Sequence, residues 1–289
     1  MGVIIPQVVT SDRASGAQVI DGSLNFDESR DNYLERTPGS AGNRKTWTWS
    51  CWVKKTQDEG FSEDGVLFEA RIDSPSADAD IFGIRWRSNG RIGVYDTGNF
   101  YVSGTREFRD TSAFYHLLLS VDTTVASNNI SLYVNGDLYL QGSYTQNTDT
   151  RVNDTCAHRI GARTTLGSQD GLFLDSYLAQ QYFIDGQALT PDSFGFTDPL
   201  TNTWRPKKYE GTFGTNGFWL PFDGNSPIGQ DQSGNGNNFT PVNFGGSVAL
   251  DKATGAKPIL NTTPGGNSAG VGVFGSRENV GYAVTVYND

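Results

Sequence analysis

The stretch Ile84-Arg85-Trp86-Arg87-Ser88-Asn89-Gly90-Arg91-Ile92-Gly93-Val94-Tyr95-Asp96, followed by Asn99-Phe100-Tyr101, sets aromatic rings beside amide and carboxylate groups. Ring faces can stack on the C–H faces of a sugar while Asn and Asp meet its hydroxyls, so Trp86, Asn99, Phe100 and Tyr101 are the candidate ligand-binding residues. Trp86 alternates in phase with Ile84, which favours a core position, whereas Phe100 and Tyr101 follow Gly98 and are expected to be exposed. His116 sits in the apolar run 114–121 and reads as a satisfied core histidine; Cys51 and Cys156 read as small buried hydrophobes. With two Cys and two His, the chain cannot assemble a zinc site at any recognised spacing, nor a disulfide framework. The loop Asp231-Gln232-Ser233-Gly234-Asn235-Gly236 has the alternating oxygen donors and the glycine that begin an EF-hand loop, but Val242 stands where the closing Glu belongs. Asn-Gly turn chemistry is the expected role of that loop, and Glu59, Glu63 and Asp64 are expected to form a solvated turn. The G-x-S-x-G, H-E-x-x-H and P-loop motifs are absent, so no catalytic residue or cofactor is expected, and no metal site is signalled, a rim calcium on Asp64 or Asp96 staying open without a sequence signature.

The elements that must position these residues are short strands. Of 289 residues 35 are Gly, 12% are aromatic and only 19% are charged, a profile of turn-dense all-β structure. In Thr46–Lys54, Trp47, Trp49, Cys51 and Val53 fall on one face and Thr48, Ser50 and Trp52 on the other, the period of a half-buried strand. Ile130, Leu132 and Val134 alternate likewise before Asn135-Gly136, which reverses the chain into Asp137–Gln141 as a hairpin. The run 114–121 is apolar on both faces and predicts a central strand. Helix is confined to a turn or two at Thr190-Pro191, where Thr is placed to cap and Pro to start. About eleven to fifteen such strands predict a sandwich or jelly roll.

The formal net charge of −10 excludes nucleic acid and anionic membrane surfaces as general partners, weighs against direct attraction to anionic cell-surface polymers, and favours recognition by shape and stacking. No segment approaches the run of about 18 apolar residues needed to span a bilayer, and no secretory signal is read at the N-terminus, so synthesis in a cytoplasm is expected. The chain divides into an arm (1–18), a sandwich (19–225) and a Gly/Asn-rich extension (226–289) that recovers strand character at 280–287. Leu24-Asn25-Phe26-Asp27 is echoed by Leu220-Pro221-Phe222-Asp223, which predicts that the second copy is the closing strand of the sandwich.

The order Leu24–Asp27 with Tyr33-Leu34, then Thr48–Val53, Tyr115–Leu118, Leu132–Gly136, Ile160-Gly161 and Leu189–Pro191 resembles a laminin-G-like, concanavalin A-type lectin/glucanase domain over 19–225. The downstream series Phe183–Pro191, Trp204–Lys207, Gly217–Leu220 and Asp231–Asn237 is similar to the version found in structural proteins of tailed, especially marine, bacteriophages. This resemblance implies an all-β, concanavalin A-like jelly-roll sandwich of two antiparallel sheets in a virion. There it would be a fibre, spike or capsid-decoration component. Its partners would be other virion proteins, copies of itself (a trimer by analogy with fibres) and host surface carbohydrate. A free lectin-like adhesion module and a degenerate glucanase are the alternatives. The glucanases of this fold carry an E-x-D-x-x-E strand, which this sequence lacks, so a non-enzymatic role is expected.

Overall fold

Four residues of one ten-residue strand, Trp47, Trp49, Cys51 and Val53, are each 0% exposed, and the molecule is built outward from them. The structure, a computed structural model, describes residues 16–56, 64–72, 81–96, 99–163, 171–224 and 226–244, and at 99–101 the backbone alone. The first sheet holds β1 (Leu24–Phe26), β3 (Thr46–Lys55), β8 (Tyr115–Asp122), β9 (Ile130–Val134), β10 (Asp137–Gly142), β12 (Ser176–Asp185) and β15 (Phe218–Leu220). The second runs β16 (Thr240–Val242), β2 (Tyr33–Arg36), β11 (Ala157–Ile160), β4 (Gly65–Arg71), β5 (Ile81–Trp86), β6 (Ile92–Asp96) and β7 (Asn99–Ser103). A ribbon of β13 (Gly195–Thr197) and β14 (Trp204–Pro206) completes sixteen strands among the described residues. Every strand pairing is antiparallel, and the two sheets make the concanavalin A-like jelly-roll sandwich that the sequence resemblance implies.

Large rings fill the space between the sheets. Trp49 of β3 stacks on Phe68 of β4 at 6.5 Å, and Trp47 meets Phe82 of β5 edge-on at 5.6 Å. Each buried aromatic contributes area burial plus roughly 0.5–1.5 kcal/mol from ring geometry. Ile130, Leu132 and Val134 join this core, and the reversal after them uses Asn135 and Gly136 at φ +50° and +87°, as an Asn-Gly hairpin turn demands. The strand with two apolar faces, β8, is central: Leu117 and Leu119 point into the sandwich and Leu118 points away. It tolerates that pattern because segment 187–219 covers the outer face of the first sheet, where Leu118, Tyr182 and Ile184 pack with Phe194 and Tyr209. The predicted helix is one 3-10 turn, Pro191–Ser193, with Pro at its start.

The two Leu-x-Phe-Asp segments share one edge of β12. β1 pairs with residues 176–178 and β15 with 181–183, separated by a bulge at Gln180, whose φ is +50°. The second copy therefore closes the sandwich, as expected. The boundary placed at residue 225 does not match the structure, in which the sandwich continues to 244. Ile228 and Phe239 enter the main core, Phe239 meets Phe218 at 4.8 Å, and β16 extends the second sheet against β2. At its end Phe244 packs edge-on against Phe26 at 5.5 Å, and Asn243 Nδ2 donates to the Asp31 carbonyl at 3.0 Å. Of the expected arm, residues 16–18 are described: Gln18 N donates to the Pro206 carbonyl (2.9 Å) and its Nε2 to Gln180 Oε1 (3.0 Å). Residues 1–15, the Glu59/Glu63 turn and 245–289, including the strand-like 280–287, lie outside the described residues.

Loops from distant parts of the chain meet at Asp185, the last residue of β12. Its Oδ1 accepts from Asn43 N (2.8 Å) and Asn153 Nδ2 (2.6 Å), and its Oδ2 from Asn216 N (3.0 Å). Asn216 also donates to the Ser40 carbonyl and accepts from Arg36, which reaches on to Asn237 Oδ1 at 2.5 Å. Asp185→Ala leaves three donors without their acceptor and should cost about 2–4 kcal/mol in urea unfolding, against less than about 0.5 for the exposed Asp192→Ala. Phe239→Ala should cost about 3–5 kcal/mol by the same measurement; a residue of a loose tail would cost almost nothing.

Candidate functional site

The outer face of the second sheet carries a row of charged side chains. In the cross-strand register Glu35 of β2, Arg159 of β11, Glu69 of β4, Gly83 of β5 and Tyr95 of β6 stand directly opposite one another. Their neighbours in sequence, Leu34, Ile160, Phe68, Ala70, Phe82, Ile84 and Val94, belong to the core, so the row faces outward. Arg159 Nε donates to Glu35 Oε2 at 2.6 Å and packs its guanidinium over the Tyr33 ring at 4.4 Å. Arg85 donates from Nε (2.9 Å) and a terminal nitrogen (2.5 Å) to Glu69 Oε2, and its guanidinium lies 3.6 Å from the centre of the Tyr95 ring. Gly83 opens the space this needs: a Cβ there would come within 2.7 Å of the Phe68 carbonyl and 3.0 Å of Glu69. Glu69 and Arg85 are buried, and burial at this depth is tolerated because each charge has a partner.

Towards β7 the row stays buried, with Tyr95 8% exposed, and β7 itself is the edge strand of the sheet. Tyr95 is paired with Phe100 and Val94 with Val102, so Tyr101 is the extra residue of a bulge in an edge strand. Bulges re-aim side chains and recur beside binding sites. The side chains of Asn99, Phe100 and Tyr101 lie outside the described residues, and their backbone places them at this edge. Trp86 is corrected: it is 0% exposed, edge-on to Phe108 at 6.0 Å, and cannot meet a ligand from solvent. Its alternation with Ile84 is the signal that holds. Glu35, Glu69, Arg85 and Arg159 were not singled out from the sequence, because the register that aligns positions 35, 159 and 69 is long-range. The visible signal was Arg85 and Arg87 alternating with Ile84 and Trp86.

Ser50 and His116 lie 2.8 Å apart, the spacing of a nucleophile and its base, yet the polarity is reversed. The Trp204 indole N–H donates to His116 Nδ1 at 3.1 Å, and an indole can only donate. The neutral ring then carries its proton on Nε2 and donates to Ser50 Oγ, so it cannot accept the serine proton. Burial lowers the His116 pKa to about 3. His158 is similarly neutral: it accepts from Asn153 N at Nε2 (2.9 Å), lies 2.8 Å from the Cys156 carbonyl through Nδ1, and burial lowers its pKa to about 4. Burial pushes the Cys51 thiol up, and the Cys156 thiol to about 12, so both are poor nucleophiles.

The Asp231 loop is held by turn chemistry. Asp231 Oδ1 accepts from Trp219 N and Ser233 N, and Oδ2 from Ser233 Oγ and Asn237 N, while Asn235 and Asn237 cap the Gly217 carbonyl. Asp64 Oδ1 caps Ser88 N at 2.9 Å. Among the described residues no group of three or more His, Cys, Asp or Glu could hold a metal ion.

Because both histidines have folded pKa values below their unfolded value near 6.5, the native state binds fewer protons, and their contribution is present above pH 6.5 and lost as pH falls towards 4. Each should add a slope of about 1.4 kcal/mol per pH unit to unfolding free energy below pH 6. Denaturant titrations between pH 6 and 5 should show this slope, and His116→Asn should remove about half of it.

A family model described as the concanavalin A-like lectin/glucanases superfamily matches residues 27–193. No curated protein matches the chain. Among solved structures, a candidate carbohydrate-binding protein from Bacteroides ovatus aligns with a TM-score of 0.49 and 14% identity, over 78% of this chain and 58% of that one. A heptameric SAP-like pentraxin from Limulus polyphemus aligns with a TM-score of 0.42 and 16% identity, over 60% of this chain and 79% of that one. A Trypanosoma rangeli sialidase variant displaying trans-sialidase activity gives 0.39 and 15%, over 52% of this chain and 22% of that one.

Proposed function

The chain belongs to the concanavalin A-like lectin/glucanase superfamily, and on that premise we propose that it is a non-catalytic, lectin-like structural protein of a bacteriophage virion that binds glycan at the β7 edge of its second sheet. The observation that carries the binding site is the bulged edge strand Asn99–Ser103, paired with β6 at the Tyr95 end of an ordered polar row. Sugar recognition needs polar groups fixed before the ligand arrives, and the Glu35–Arg159 and Glu69–Arg85 pairs fix the row.

The same row argues against hydrolysis. Glycosidases need two carboxyls flanking one bond, about 5–10 Å apart with only ligand or water between. Here Glu35 and Glu69 stand on β2 and β4 with Arg159 of β11 in register between them, and each carboxylate already accepts from an arginine. Support for the virion role comes from 183–237, the segment similar to phage structural proteins, much of which covers the first sheet and closes its β12 edge. In this role the chain outside the sandwich joins it to other virion proteins and to further copies of itself, as a trimer.

On a glycan array the full chain should bind with a Kd below about 1 mM (about −4 kcal/mol), and Tyr101→Ala should weaken that binding at least about tenfold. Binding to no glycan would overturn the lectin role, and turnover of a β-glucan would overturn the non-catalytic one. Light scattering of the full chain tests self-association: a monomer at all concentrations rejects it.

A further inference from the structure

The hairpin joining β5 to β6 closes on two arginines. Arg87 N donates to the Arg91 carbonyl at 2.7 Å, and Gly90, at φ +75°, donates its N–H back to the Arg87 carbonyl at 2.8 Å, so the two residues face each other across the turn. Like charges directly opposite on a hairpin are unfavourable. They occupy the outer face of the second sheet, since Trp86 and Ile92, paired one step inward, are both core residues. Arg87 donates to Ser103 Oγ of β7 at 2.9 Å, which brings the pair to the edge strand of the proposed glycan site. Arg91 lies 3.4 Å from Glu107, a carboxylate that Arg109 also engages. The exposed Arg106, next in the chain, lays its guanidinium over the Phe108 ring at 4.8 Å. The hairpin's Arg87 and Arg91, and Arg106 and Arg109 of the segment that Glu107 ties to it, thus supply four guanidinium groups, two of them sharing one carboxylate, in a chain whose net charge is −10.

Resting on the glycan-binding reading, we propose that this hairpin and the segment tied to it form a lip that selects acidic polysaccharide, with Arg87, Arg91 and Arg106 taking the carboxylates of uronic acid residues while the β7 edge meets the sugar rings. A guanidinium matches a carboxylate with two parallel N–H donors, so the planar fork suits this anion better than a point charge does. The global charge selects among polyanions. Duplex DNA carries one charge per about 1.7 Å of axis and is repelled by an acidic body, whereas an acidic glycan spaces its carboxylates by sugar rings and can meet the lip locally. Recognition by shape and stacking, expected from the net charge, therefore gains a local electrostatic component that the overall balance conceals.

Affinity electrophoresis of the full chain through gels containing polygalacturonate, a neutral β-glucan or single-stranded poly(dT) tests the proposal. Polygalacturonate should retard the protein, less so as salt is raised, and R87A/R91A should weaken retardation at least tenfold with an unchanged near-UV spectrum. Arg106→Glu, at an exposed position, should weaken it at least threefold and guards against a folding defect in the double variant. R87K/R91K should recover only part of the binding, because lysine keeps the charge and loses the fork. Retardation by neutral glucan alone, insensitive to these variants, overturns the acidic selectivity and leaves the glycan-binding role standing. Retardation by neither glycan overturns both, and equal or stronger retardation by poly(dT) makes the lip a nucleic-acid contact instead.

Discussion

One carboxylate at the end of a ten-residue central strand, β12, holds the ends of the sandwich in place. Asp185 binds the segments that precede β3, β11 and β15, at Asn43, Asn153 and Asn216. These segments are far apart in sequence and close only when both sheets are assembled. A hydrogen-bond acceptor shared among them rewards the complete fold and no part of it, which makes the contact cooperative. A Cβ on Gly42 would strike the Asp185 and Asn153 side chains, so a glycine is required there for close approach. Through Asn216 and Arg36 the network reaches Asn237, and the Gly/Asn-rich segment becomes part of the body.

Strand identity was legible along the chain wherever alternation was strong. Trp47, Trp49, Cys51 and Val53 face the core, and Ser50 and Trp52 face away, as their spacing implies. The 226–244 segment was misread because its apolar content is a few widely spaced residues, Ile228, Phe239 and Phe244. Its asparagines serve as fixed caps for backbone carbonyls, which composition cannot tell from loop solvation. Register was the other illegible quantity. Nothing local says that position 159 will lie between 35 and 69, yet that alignment creates the charged row.

The two outer faces have opposite characters, and the reason is covering. On the first sheet the ribbon and the 187–219 segment bury Trp52, His116 and Tyr182, so a serine and histidine at bonding distance become a packing device oriented by Trp204. On the second sheet, arginine–carboxylate pairs do the equivalent work with charge, each cation lying on a tyrosine ring. Rigid neutral packing suits a wall. Paired charges keep the second face ordered and polar.

The clasp between Phe26 and Phe244, with Asn243 holding Asp31, joins the margin where the chain enters the first sheet to the margin where it leaves the second. Tension carried along the polypeptide through residues 16 and 244 would pass through this corner by a short path. β7 lies at the far edge of the second sheet from β16, and β10 at the far edge of the first from β1. Most strands would then bear little of the load. The corner that fastens both ends of the described chain thus lies a whole sheet's width from the β7 edge.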